Sequence, residues 1–220
     1  QEFEESEDEY ELFFKLHTLT YDMRYLSQEF SGWKVAGGMN GMWQRSLNLG
    51  EESLIPEYKV FDIGGYATVS KSINKWTLNG GLRFDYRHLD FHSRNFSGIS
   101  GSIGAVCNIN EHFNLRLNMA RGFRAPNMSE LGSDGVHEGT LRYELGNPDL
   151  KPEYSWQADL GLDFTSQYIS AQIALFANRI ENYIFSKRID VVMEEGMRTY
   201  EYTQGDARLL GFEAGFDFHP

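Results

Sequence analysis

The chain has 220 residues, 32 of them acidic and 20 basic, for a net charge of −12. That balance argues against a nucleic-acid partner, and no apolar run approaches the ~18 residues that a membrane helix needs. Aromatic residues at 15% together with 22 glycines fit strands of a transmembrane barrel, with its aromatic girdles, better than most soluble sheets.

The chain opens without Met on an acidic run, Glu2 to Glu11, which reads as a solvated external loop, and it stops at His219-Pro220 just after an alternating segment. Both ends suggest a piece of a longer protein. From there period-two alternation dominates. The first segment, about 10–26, switches phase: Leu12, Phe14 and Leu16 alternate in one register and Leu19, Tyr21, Met23 and Tyr25 in the other, which predicts a bulge near Thr18. Strands are expected next at 33–48, 58–72 and 75–91. In the last of these, Trp76, Leu78, Leu82, Phe84 and Tyr86 oppose Lys75, Thr77, Asn79, Arg83, Asp85 and Arg87. A strand at 97–109 holds the single cysteine, Cys107, among Ile103, Ala105 and Ile109. It reads as a small apolar strand residue rather than a nucleophile. Strands at 113–125, 153–165, 168–189 and 199–218 complete the expected set of nine. No amphipathic helix stands out, and the stretch between Asn127 and Pro152 reads as a long polar loop closed by the turn Asn147-Pro148-Asp149.

Short connections (Asn74-Lys75, Asn110 to His112, Ser166 to Tyr168) alternate with longer ones (Glu51 to Tyr58, His92 to Phe96, Asn127 to Pro152, Asp190 to Arg198). Strands that cross a bilayer up and down have short periplasmic turns and longer external loops. Trp33, Trp76, Phe113 and Tyr168 follow the short turns, at the height of an interfacial girdle. Several segments outrun the ~5–6 residues of ordinary strands. The expected fold class is therefore all-β, an antiparallel transmembrane β-barrel, present as an incomplete section of about nine strands. An odd number does not close as a bacterial single-chain barrel, and open edges are not viable in hydrocarbon. The alternative is a soluble β-sandwich whose polar face meets bulk water.

Five phrases narrow this further: GLRFDYR (81–87), GFRAPNMSEL (122–131), YELGNPDLKPE (143–153), FANRIENYIF (176–185) and LLGFEAGFDF (209–218). Together and in this order they resemble the TonB-dependent outer-membrane receptors, with the best match from about Trp76 to the end. The resemblance implies a 22-stranded barrel in the bacterial outer membrane, plugged by a separate domain that lies outside residues 1–220. It implies TonB-energised uptake of a scarce nutrient such as a metal, haem or a siderophore-like metal chelate, with no enzymatic activity and no resident cofactor. The partners implied are outer-membrane lipid, the plug, the TonB complex through that plug, and the small-molecule or metal-chelate substrate.

On that reading Arg83, Asp85, Arg87, Asn114, Arg116 and Asn118 face the lumen, where they hydrogen-bond the plug or line a passage; alternatively they pair with wall neighbours. His137 and Glu138, in GVHEGT (135–140), resemble the Gly-Xaa-His element in a loop of metal and haem receptors. They are candidate ligands for a metal or haem iron, or simply turn residues. His88, Asp90 and His92 share a face if the strand persists, although that face continues the lipid-side phase of Trp76. Arg121, Arg124 and Pro126 read as structural residues at the exit of the long loop. A passive porin and a barrel enzyme using His88 and Asp90 remain as alternatives.

Overall fold

The computed structural model describes residues 13–50, 53–191, 193 and 196–220, except the side chain of Glu138. The acidic run Glu2 to Glu11 therefore lies outside the described residues. Nine long strands form the wall: β1 (Phe14–Leu26), β2 (Trp33–Asn48), β3 (Tyr58–Ile73), β4 (Trp76–Leu89), β5 (Arg94–Asn108), β6 (Phe113–Arg124), then β9 (Glu153–Thr165), β10 (Ile169–Ile189) and β11 (Arg198–Phe218). Between β6 and β9 the loop is not irregular as expected. It carries a short helix α1 (Met128–Gly132) and a hairpin of β7 (Asp134–His137) with β8 (Arg142–Leu145). All eleven strands belong to one sheet in the order β1-β2-β3-β4-β5-β6-β9-β10-β11-β8-β7. The wall pairs are all antiparallel, and β8 joins the upper end of β11 in parallel.

Two further sequence expectations fail for identifiable reasons. The register of β1 on β2 runs unbroken from Phe14↔Asn48 to Leu26↔Ala36, with no bulge at Thr18. Leu16 lies beside Ser46 and Leu19 beside Trp43, so the phase switch records apolar residues on both faces rather than a slipped register. The bulge lies instead in β10, between Ile180 and Tyr183, where Asn182 adopts a φ of 55°, a conformation Asn tolerates better than most residues. Likewise β4 ends at Leu89, and Phe91–Ser93 form a 3-10 turn with His92 at φ 51°. His88, Asp90 and His92 thus do not share a strand face.

The sheet has a single layer, which leaves a soluble sandwich without its second sheet. One face is apolar over four successive rows. Phe113, Leu115, Leu117 and Met119 of β6 oppose Phe164, Leu162, Leu160 and Ala158 of β9. The rows continue through Ala171, Ile173, Leu175 and Ala177 to Phe216, Ala214, Phe212 and Leu210. Leu210 is 81% exposed and Phe212 74%. A soluble protein rarely leaves a continuous patch of this kind open to water, whereas hydrocarbon solvates it. Among the described residues no helix is long and apolar enough to cross a membrane; the strands make the crossing.

Candidate binding wall and its external loop

The opposite face is polar, and the charges at its centre are paired. Asp62, Gly64 and Tyr66 of β3 stand opposite Arg87, Asp85 and Arg83 of β4. Arg87 grips both oxygens of Asp62 at 2.7 and 2.8 Å. Arg83 donates to Asp85 at 2.8 Å and to Asn40 Oδ1 at 2.8 Å. The backbone permits this cluster because position 64 is glycine: a Cβ there would collide with the Arg83 guanidinium and the Asp85 carboxylate. A hollow of about 570 Å³ opens over these side chains, bounded on its far side by Phe123 and Arg124. Lower on the same face Arg116 bonds Asp163 at 2.7 Å and Asn118 bonds Asp159 at 3.3 Å. Asn114 stands in register between Asn108 and Asp163. The six wall residues singled out in the sequence thus share one face, and the three arginines among them lie against carboxylates.

The long loop folds onto this polar face at its upper end. Val60 and Leu89 oppose each other there, and with Phe96 they form a buried cluster with Ala125, Met128, Leu131, Leu150 and Ile184. Pro126, Leu131 and Leu150 are among the most completely buried side chains. Helix α1 starts at a capping box: Asn127 Oδ1 accepts from the Glu130 amide and Glu130 Oε2 accepts from the Asn127 amide, both at 2.8 Å. The pattern Asn-x-x-Glu is a legible start signal that the strand-dominated reading passed over. Arg124 Nη1 donates to both oxygens of Glu130 at 2.9 Å, and its Nε donates to Glu153 at 2.6 Å. Arg94 donates to the carbonyls of Pro148 and Leu150. Gly146 N donates to Ser133 O at 2.6 Å, an approach so close that a Cβ at 146 would strike the backbone of Gly132 and Ser133. The residues of GFRAPNMSEL and GNPDLKPE therefore form one clasp that fixes the loop to the wall.

Glu153 lies above the apolar rows. Burial raises its carboxyl pKa, but hydrogen bonds from Arg124 and the Ile184 amide, with the Arg124 charge, outweigh it and hold the carboxyl below its ordinary value. Arg121 behaves differently from Arg124. It points to the apolar face, over the rings of Tyr154 at 4.2 Å and Trp156 at 5.6 Å.

His137 lies at the tip of the β7–β8 hairpin, its Nδ1 2.7 Å from Thr140 Oγ1. Among the described residues no three His, Cys, Asp or Glu side chains come together as a metal site. His88 Nδ1 is 2.8 Å from Asn95 Oδ1, and Asp90 Oδ1 accepts from the Lys59 amide at 2.7 Å. Each has a local partner. The hairpin is held on β11 by parallel pairing, by the Tyr202 hydroxyl donating to buried Glu144 at 3.4 Å, and by the Arg142 guanidinium, which donates from Nε to Glu144 at 2.7 Å and lies over the Tyr200 ring.

A single-layer sheet with a continuous apolar face, a paired polar face and long connections at one end is the wall of a transmembrane β-barrel. More particularly, the chain belongs to the TonB dependent receptor-like, beta-barrel family, whose model matches residues 5–219, and its place is the outer membrane of a Gram-negative bacterium. It is 31% identical over 114 residues to the probable TonB-dependent siderophore receptor PirA of Acinetobacter baumannii, an alignment covering 47% of this chain and 14% of that receptor. Among solved structures it resembles the copper transporter OprC, with a TM-score of 0.76 at 18% identity over 94% of this chain and 35% of that one. The Serratia marcescens hemophore receptor HasR, solved with its hemophore HasA and heme, matches with a TM-score of 0.74 at 14% identity, covering 95% of this chain and 41% of that one. The chain thus spans well under half the length of the proteins it resembles.

Proposed function

We propose that the protein carrying this chain is an energised uptake receptor for a metal, haem or a metal chelate. Its plug domain docks against the polar face, and the TonB complex acts on that plug. The observation that carries the proposal is the clasp: the loop is fixed over the polar face by Arg124, Glu130, Glu153 and Gly146, residues of the phrases that resemble the receptor family. Such a fixed loop narrows the mouth above a paired wall. That suits capture of one ligand better than the free diffusion of a porin, and family membership speaks for a receptor rather than an enzyme.

The wall would meet the plug through hydrogen bonds more than through net charge. Arg83, Arg87 and Arg116 already lie against carboxylates, so they offer remaining N–H groups without demanding a buried counter-ion. Asn114 and Asn118 offer amide groups on the same face. The relatives' names mention siderophore, copper and heme, all metal or metal-bearing cargoes on one type of wall, which supports the substrate class and leaves the choice within it to the loops. His137 and Glu138 are the loop ligands proposed here. Calorimetry of the full-length protein with Zn(II), haem and ferric chelates tests them. His137→Ala is expected to weaken the binding of one of the three about tenfold, the loss of one ligand bond. Unchanged binding of all three removes His137 from the site.

A further inference from the structure

The ladder between β5 and β6 stops at Gly101↔Arg121, although both strands continue upward, β5 to Arg94 and β6 to Arg124. On either side the ladders do run on. β4 pairs β5 as far as Leu89↔Arg94, and β6 pairs β9 as far as Arg124↔Glu153. The upper wall therefore consists of two laddered bodies, β1 to β5 and β6 to β11, that meet along a seam. We propose that this seam is a gate: the upper ends of β5 and β6 part about the Gly101–Arg121 pair while the ladder below it stays closed.

The seam begins at the depth where a strand edge can open. Ile103, Met119 and Ala158 form the last apolar row, and Gly101, Arg121 and Trp156 form the next row of the same face. Open edges are not viable in hydrocarbon, and the ladder is complete throughout the apolar rows. Above them the backbone of β5 can meet water. Trp156, half exposed, marks the interface.

Side chains take the place of the missing strand bonds. Along a strand, alternate residues turn their backbone groups to the same neighbour. The carbonyls of Ser97 and Ile99 turn to β6. The Tyr154 hydroxyl donates to Ser97 O at 3.5 Å, and Arg121 Nη1 donates to Ile99 O. Arg121 is held for this by the Tyr154 ring, 4.2 Å from its guanidinium. On the inner side the Phe123 ring lies on Gly98, where a Cβ would strike it. The long loop also crosses the seam. Arg124 ties it to β6 and β9, whereas Arg94 of β5 donates to the carbonyls of Pro148 and Leu150. The buried cluster that includes Phe96 and Ala125 favours the closed form.

Two hydrogen bonds from partly exposed side chains and one aromatic wedge are a weaker closure than a continuous ladder, and such units open first. Parting requires Arg94 to release the loop, so seam and loop open together. Withdrawal of Phe123 uncovers the hollow of about 570 Å³ that it bounds. On the receptor reading above, this opening widens the mouth for cargo.

The test is a distance measurement by double electron–electron resonance on the full-length protein in lipid vesicles, in a Cys107→Ala background. Nitroxides at Ser97→Cys and Tyr183→Cys report across the seam. A second pair at Lys15→Cys and Ser97→Cys lies within the β1 to β5 body. Heat-modifiable gel mobility confirms that each variant has assembled. Without further substitution the first pair is expected to show one main distance and a minor longer one. Arg121→Gln with Tyr154→Phe is expected to raise the longer distance relative to the main one about tenfold, the scale of the lost hydrogen bonds. If that variant does not assemble, Tyr154→Phe alone, which keeps the ring, should act in the same direction. The second pair should not change. An unchanged distance across the seam in the latch variants, or an equal change in the second pair, would overturn the gate. The gate rests on the pairing of the wall strands and is independent of the receptor reading, which uptake measurements test separately.

Discussion

Arg124 donates from one guanidinium nitrogen to both carboxylate oxygens of Glu130, at 2.9 Å each. The same Glu130 closes the capping box of α1, so the end of a wall strand and the start of the loop helix share one carboxylate. Replacing Arg124 by Met leaves Glu130 and Glu153 close together without their cation. The loop is expected to loosen by about 1–3 kcal/mol, the cost of orphaning partly buried charged groups. Hydrogen exchange of the amides in 127–134 would read this directly. Unchanged protection would mean that the apolar cluster alone holds the loop.

The clasp is also pH-dependent. The Glu153 carboxyl is held below its ordinary value, so folding favours the charged form. Its contribution is complete above the ordinary carboxylate pKa and is lost as pH falls through the lowered one. Limited proteolysis of the loop should be slow near neutral pH and accelerate in acid below about pH 4, the ordinary carboxylate range. Glu153→Gln should be cleaved faster at neutral pH and show a flatter acid profile.

At Gly64, a Cβ would enter the space of the Arg83–Asp85 pair. Gly64→Ala should therefore separate the pair and lower barrel stability by about 1–3 kcal/mol, the usual cost of overpacking. Urea unfolding in lipid vesicles measures this. A neutral result would show that the side chains simply reorient.

On the apolar face, Leu160 stands between Leu117 and Leu175. Leu160→Arg should cost about 2–4 kcal/mol at mid-membrane depth, whereas Asp159→Asn, one residue away on the polar face, should cost far less. Comparable losses would contradict the assignment of the two faces.

The nine wall strands were legible because period-two alternation, the succession of short and long connections and the girdle aromatics all point the same way, and their bounds shift by only a few residues. The loop was less legible. Helix α1, at five residues, is too short to show a 3.6-residue period, and the four-residue strands around Val136 and Tyr143 are too short to show alternation. Only the Asn127-to-Glu130 cap was there to be read. The wall residues were found by phase alone, since alternation assigns a face. Their partners Asp62, Asp163 and Asp159 come from neighbouring strands, and only the register shows them. Phase also misled at Thr18, where an edge strand with apolar residues on both faces imitates a bulge. His137 followed from a motif, and the described neighbours give it a turn partner, Thr140. Its role as a ligand depends on groups beyond this hairpin.

The most direct measurement is accumulation of labelled ferric chelate, haem and zinc by cells producing the full-length protein, with and without a working TonB complex. An energised receptor predicts saturable accumulation of one cargo that is abolished without TonB. Equal, non-saturable accumulation in both strains would contradict it and make the barrel a passive pore.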